Sequence, residues 1–309
     1  MHLHAWWALG VIGAIAALGF ASGCLCYNVY ASRRLEQEVA ETPRDPLTGI
    51  ALQAAPVALG EIGRPAVLLI HGFCSAPTDF GALPAALEAA GFRVVSPLLP
   101  GHGRTPRDLD GVTAEDLARH VLEAYERLRD ESDWVAVVGN SMGGALALRL
   151  TCEAERPPDA LVLSVPYLAV AHRWHYLLPG RAWNALLSPF VPYIVRPEAM
   201  PVYRQDAVRE LYIYRVVSTR FVRQLFRLGD DLSRFPLQAL PRRTLLLRGL
   251  GDSVVSVKAI DRLADRYGLD EGSRVVLERS DHAVFVDHDR KIAISRVTGF
   301  LVESLAKKR

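Results

Sequence analysis

The run Gly139-Asn140-Ser141-Met142-Gly143 lies directly behind five apolar residues, Trp134 to Val138, and directly ahead of a helical stretch from Ala145 to Glu155. Strand, tight turn and helix in that order restrict the fold more than any other feature of the chain. A G-x-S-x-G pentapeptide in this setting forms a nucleophile elbow. The turn is strained, and a side chain at Gly139 or Gly143 would strike the neighbouring strand or helix. The Ser141 hydroxyl is thereby pushed out at the carboxyl end of a sheet. A helix amino terminus stands behind it and favours negative charge.

An elbow of this kind needs a buried, mostly parallel sheet, and 309 residues at 50% hydrophobic content are enough to build one. Apolar strands are expected at Ala66–Ile70, Arg93–Ser96, Ala160–Ser164, Thr244–Leu247 and Arg274–Leu277. Helices alternate with them, one over Asp79–Ala90 and one opened by the capping pattern Thr113-Ala114-Glu115-Asp116. The α/β core would occupy 61–165 and 242–309, closing with a helix from Arg290. Between them, over 166–241, the alternation stops, and this stretch reads as an inserted helical cap. From Tyr167 to Leu240 it holds 12 of the chain's 25 aromatic residues, enough to fill a small core and to line an apolar pocket mouth. Asp206 to Leu228 is expected as one long helix ending at Gly229. On it Arg209, Arg220, Arg223 and Arg227 share a face opposite Leu211, Tyr214, Phe221, Val222 and Leu225, a pattern suited to lipid headgroups or to plain solvent.

Ala5 to Leu25 carries no charge over 21 residues. As a helix it would measure roughly 30 Å, the thickness of a bilayer core. Trp6 and Trp7 at one end and Tyr27 and Tyr30 at the other have the placing of interfacial aromatics. The expectation is a single-pass anchor over 1–30, followed by a linker over 31–60. A cleaved signal peptide is the rival, although Met-His-Leu-His lacks lysine and arginine. Arg33 and Arg34 after the span place the catalytic domain on the cytoplasmic side of a bacterial inner membrane. The net charge of +2 points away from nucleic acid as a partner. Cys24 and Cys26 lie in or beside the span, and Cys74 and Cys152 are isolated. No disulfide framework or metal-ligand spacing follows from them.

A carboxylate and an imidazole are needed to activate Ser141. Asp252 follows the strand at Thr244–Leu247, and His282 follows the strand at Arg274–Leu277, so the chain order is Ser141, Asp252, His282. His282 would take the serine proton as base, and Asp252 would fix the imidazole tautomer. Asp281 is the competing acid, but its adjacency to His282 makes the required geometry unfavourable. The loop His71-Gly72-Phe73-Cys74 after the first buried strand would supply one backbone N–H of an oxyanion hole, from Phe73 or its neighbour, and Met142 the other. His71 is expected to shape that loop and His288 to lie at the surface.

Taken together, His71-Gly72-Phe73, Pro97-Leu98-Leu99-Pro100-Gly101-His102-Gly103, the elbow, Gly251-Asp252 and Asp281-His282 resemble the α/β-hydrolase superfamily. Within it they are similar to the serine hydrolases grouped with monoacylglycerol lipases, lysophospholipases and bacterial carboxylesterases. The resemblance implies an α/β-hydrolase fold, a Ser-His-Asp acyl-enzyme mechanism, no cofactor, and a lid built from the insertion. The expectation for the whole chain is a membrane-anchored hydrolase acting on an apolar or lipid-like acyl ester. Acyl transfer with the same triad, and a non-catalytic membrane scaffold, are the alternatives. Asn140 departs from the pattern, since histidine, tyrosine or leucine is commoner before the serine in such enzymes.

Overall fold

A computed structural model describes residues 2–171, 178–196, 201–232 and 240–308 of the chain. A seven-stranded sheet forms its centre. The strands are β1 (Val57–Leu59), β2 (Ala66–Ile70), β3 (Arg93–Ser96), β4 (Val135–Asn140), β5 (Ala160–Ser164), β8 (Thr244–Gly249) and β9 (Arg274–Leu277), in the spatial order β1-β3-β2-β4-β5-β8-β9. Only β1 runs antiparallel, pairing Ala58 with Val95 at the edge. Every residue of β2, β4 and β5 is buried. Such uniform burial needs helices on both faces, which is why these strands read as continuous apolar runs rather than alternating ones.

Those helices are α2 (Leu83–Ala89), α3 (Ala114–Glu131), α4 (Met142–Glu153), α7 (Val257–Arg266) and α8 (Arg290–Ala306). The amino end of α3 closes with a reciprocal cap. Thr113 Oγ1 accepts from the Asp116 N–H at 3.1 Å, and the Asp116 carboxylate accepts from the Thr113 N–H at 3.1 Å. Leu117, Val121, Tyr125 and Leu128 turn inward from it, as their spacing requires. The segment expected as one helix over Asp79–Ala90 divides into a short 3₁₀ turn, Pro77–Phe80, and α2.

The insertion after β5 contains α5 (Gly180–Leu187), a two-stranded antiparallel ribbon of β6 (Tyr193–Val195) and β7 (Val216–Ser218), and α6 (Thr219–Leu232). Residues 172–177, 197–200 and 233–239, within the expected cap, lie outside the described residues. The single helix expected over Asp206–Leu228 is not formed. Gln205–Glu210 is a 3₁₀ turn, Val216–Ser218 is a strand, and α6 begins only at Thr219. The β-branched and aromatic residues from Tyr212 to Val217 favour extended backbone, and ribbon pairing overrides the helical spacing. Arg209 therefore does not share a face with Arg220, Arg223 and Arg227, although those three are exposed on α6. The helix also runs through Gly229. A Cβ there would sit 3.2 Å from the Tyr167 ring, so this glycine serves close packing rather than termination.

At the amino terminus α1 spans His2–Glu41 without a break. Residues 31–41, expected as linker, are helical. They hold no glycine or proline, and Arg34 Nη1 to Gln37 and Gln37 Nε2 to Glu41 bond along one side at 3.1 and 2.7 Å. Pro43 follows shortly after the end of the helix. One stretch of α1, from Ile12 onward, is long and apolar enough to cross a membrane. The side chains of residues 2–11, Trp6 and Trp7 among them, lie outside the described ones. The carboxyl half of α1 packs on the cap. Asn28 Nδ2 donates to the Phe190 carbonyl at 2.8 Å, and the Val195 N–H donates to the Tyr27 hydroxyl at 3.1 Å. The Glu38 carboxylate accepts from the N–H groups of Arg215 and Val216 at 3.0 and 2.9 Å.

Candidate active site

β4 delivers Ser141 at its carboxyl end in a left-handed conformation, with φ 54° and ψ −116°. A non-glycine residue holds such a backbone only where its surroundings enforce it. Here the Ser141 N–H donates to the Ser164 carbonyl at 2.9 Å, and its own carbonyl accepts from Gly144 and Tyr167. The flanking glycines are obligatory. A Cβ at Gly139 would lie 2.3 Å from the Gly143 carbonyl oxygen, and one at Gly143 would lie 1.9 Å from that of Ile70. These approaches let β4 and α4 close around the serine.

Three side chains from three loops converge at this point. His282 Nε2 stands 2.8 Å from Ser141 Oγ, and His282 Nδ1 stands 2.8 Å from Asp252 Oδ2. A carboxylate can only accept, so Nδ1 carries the proton and Nε2 is left to accept from the serine hydroxyl. The other Asp252 oxygen accepts from the N–H groups of Val254 and Val255, both at 2.9 Å. Burial alone would raise the Asp252 pKa. The imidazole and the two N–H donors outweigh it and hold the carboxyl below its ordinary range. Asp281, the competing acid, faces away and accepts from the N–H and hydroxyl of Ser253 at 2.8 and 3.0 Å.

The loop after β2 is shaped as its residue types require. His71 is fully buried; its Nδ1 donates to the Gly72 carbonyl at 3.0 Å and its Nε2 accepts from the Leu99 N–H at 3.0 Å. Burial, reinforced by nearby His102, drives its pKa well below the ordinary histidine value, so the ring is a neutral strut. Neither the Phe73 nor the Met142 N–H donates to a backbone carbonyl of the described residues; Met142 directly follows Ser141 in the chain, and Phe73 lines one cavity with Ser141. Gly72 is confined, since a Cβ on it would stand 3.3 Å from Ser141 Cβ. His288 is exposed, as expected.

One carboxylate escaped the sequence reading. Asp79, buried in the wall of the site, accepts from the Gly72 N–H at 2.7 Å, from the Asn140 amide at 3.3 Å and from the Ser75 hydroxyl. Burial raises its pKa, and these three donors hold the rise back. Asn140 in turn accepts from the Ser164 hydroxyl at 3.0 Å. The unusual residue before the nucleophile thus belongs to a polar bridge from the loop after β2 to β5. No motif marked Asp79, because its role depends on a fold contact seven residues from Gly72.

Ser141 and His282 open into a cavity of about 400 Å³. Its walls are overwhelmingly apolar, with Phe73 from the loop and Trp183, Leu187, Ile194, Leu225 and Phe226 from the cap. Phe73 stacks on Phe221 of α6, ring centroids 5.0 Å apart. Among the described residues no group of His, Cys, Asp and Glu has metal-binding geometry.

Comparison with known proteins agrees with this architecture. A thermostable monoacylglycerol lipase of Bacillus sp. (strain H-257) is 29% identical over 252 residues, covering 82% of this chain and 96% of the lipase. Among solved structures, a metagenome-derived lipolytic enzyme from the study of LipS and LipT superposes with a TM-score of 0.72 at 22% identity, covering 82% of this chain and 99% of its own. A soluble variant of the Saccharomyces cerevisiae monoglyceride lipase, solved with a substrate analogue, gives a TM-score of 0.66 at 16% identity, over 85% and 98% of the two chains. These two likenesses establish the α/β-hydrolase fold. The serine aminopeptidase S33 family profile matches residues 63–289, from the approach to β2 to the start of α8, and the chain belongs to that family of α/β-hydrolases.

Proposed function

We propose that the protein is a membrane-anchored serine hydrolase that cleaves carboxylic esters of apolar, lipid-like acyl chains. The observation that carries this reading is the Ser141–His282–Asp252 relay, with 2.8 Å at each link, opening into an apolar cavity. Ser141 Oγ attacks the ester carbonyl while His282 Nε2 takes its proton. The carbonyl oxygen becomes an oxyanion and is stabilised by the N–H groups of Phe73 and Met142. Collapse breaks the acyl–oxygen bond, and the imidazolium returns its proton to the leaving alcohol. Water then repeats the sequence on the acyl-enzyme, releasing the acid and restoring Ser141. Asp252 stabilises the imidazolium throughout without taking its proton.

The apolar walls suit an acyl chain, and the monoacylglycerol lipase relative is consistent with such a substrate. For anchoring, the support is the uncharged stretch of α1 and its contact with the cap, where Phe20 meets Phe190 edge-on at 5.3 Å between centroids. The cap, and with it the cavity mouth, would then rest at the bilayer surface. Purified full-length protein in detergent should hydrolyse p-nitrophenyl esters and monoacylglycerols, and Ser141→Ala should lower turnover by at least about 10⁴-fold. Comparable turnover in parent and variant would overturn the reading.

A further inference from the structure

A second cavity, of about 530 Å³, lies between the carboxyl half of α1 and the cap, and its walls include Arg34, Arg196, Arg209 and Arg215. None of these four forms an ion pair with a described residue, whereas ten other arginines among the described residues do. The two acids in the wall are both engaged. Glu38 accepts the N–H groups of Arg215 and Val216, and Glu41 accepts from Gln37. Burial raises the pKa of Glu38, while the N–H groups and the guanidinium of Arg215 pull it back down. Four arginines against two glutamates leave the wall of this hollow with an excess of positive charge, which suits an anion.

The position of the hollow identifies the source of that anion. Arg33 and Arg34 are the first charged residues after the uncharged stretch, so Arg34 lies on the headgroup side of the span if that stretch crosses the bilayer core. Arg196, Leu211 and Ile213 line this cavity and the apolar cavity holding Ser141 alike, so one wall separates the two. Arg196 is also the one lysine or arginine in the described lining of the apolar cavity.

We propose that the arginine-lined cavity between α1 and the cap binds the phosphate headgroup of an anionic phospholipid of the bilayer, at a site separate from the catalytic cavity. The site rests on the reading of α1 as a membrane anchor. A bound headgroup would tie α1, the 3₁₀ turn bearing Arg209 and the ribbon strand preceded by Arg215 into one unit, holding the cap against the membrane. The guanidinium fork matches phosphate oxygens two at a time, which favours arginine over lysine here.

The test uses the detergent-solubilised full chain and short-chain, ether-linked phosphatidylglycerol, which cannot be hydrolysed, with ether-linked phosphatidylcholine as comparator. Native mass spectrometry and calorimetry should find one phosphatidylglycerol per chain, bound at least about tenfold more tightly than phosphatidylcholine. Arg34→Gln, Arg209→Gln and Arg215→Gln together should weaken it on the order of a hundredfold, at roughly tenfold or less per charge. The matching triple lysine variant keeps the charge and should stay within about tenfold of the parent, with circular dichroism melts reporting that both variants fold. Equal affinity for the two lipids, or a glutamine variant that binds as the parent does, would overturn the site. Displacement of the lipid by millimolar glycerol 1-phosphate would reassign it to a soluble phosphate and overturn the lipid claim. Recovery of the parent protein in the aqueous cell fraction would overturn the anchor reading alone, and the binding data would stand apart from it.

Discussion

Ser141, Asp252 and His282 were legible in the sequence because each follows a recognisable strand and the fold fixes where strand ends go. Asp252 was preferred to Asp281 for its place after a sheet strand and because Asp281 adjoins His282 in the chain. The geometry now gives it a measurable form: Asp252→Asn keeps the shape but offers His282 Nδ1 a donor as readily as an acceptor. Its kcat should fall about 10⁴-fold by analogy with other triads, while Asp281→Asn, which touches only Ser253 and not the imidazole, should cost less than about tenfold. The reverse ranking in steady-state assays would contradict the assignment. The pH profile follows from the same contacts. Asp252 is held below the ordinary carboxylate range, so it contributes stability above its unfolded pKa and loses it only as pH falls through the lower, folded value. It stays ionised between pH 5 and 8. Asp252 should therefore add no acid limb to kcat/KM over that range, and such a limb that disappears in Asp252→Asn would contradict these contacts. Asp79 was not legible, since nothing local distinguishes it from a surface acid before the loop and β4 come together.

Among the elements, β2, β3, β5 and β9 have the bounds their apolar runs suggest; β2 and β5 are buried on both faces, which leaves little choice of residue, and β3 and β9 alternate between buried and less buried positions. The cap was harder to read. Its helical spacing from Asp206 to Leu228 is real as a pattern, but β6 offers Val216–Ser218 a pairing partner, and long-range pairing is invisible to periodicity. The carboxyl part of α1 was missed for a related reason, since charged residues after an apolar span read as linker until their contacts are known. Glu38 makes that docking testable. Glu38→Ala should leave the Arg215 and Val216 N–H groups without their acceptor, costing the docked end about 1–3 kcal/mol. Hydrogen exchange at those two amides should accelerate by roughly five- to a hundredfold, and unchanged exchange would mean that the clamp carries no stability. The same carboxyl has its pKa raised by burial, so the folded state binds its proton more tightly than the unfolded one. Docking is accordingly favoured at low pH and weakens as pH rises from the unfolded value through the folded one.

For the whole molecule, the contacts of α1 decide where the anchor can be removed. Tyr27, Asn28, Ala31, Leu35 and Glu38 all pack on the cap or are buried, so a chain beginning at Tyr27 should fold, stay in the aqueous phase and hydrolyse short soluble esters within about threefold of the parent. It should be much slower on monoacylglycerol in vesicles, where tethering raises local concentration. A chain beginning at Thr42 should expose the buried face of the cap and lose activity on both substrates. Equal loss for both truncations would mean that the uncharged stretch supports folding rather than delivery. The chemistry itself has the most direct test. The intact protein, treated with a fluorophosphonate and digested, should carry one adduct, on Ser141, and His282→Ala should abolish it. An unlabelled parent protein, or an adduct on any other residue, would contradict the account.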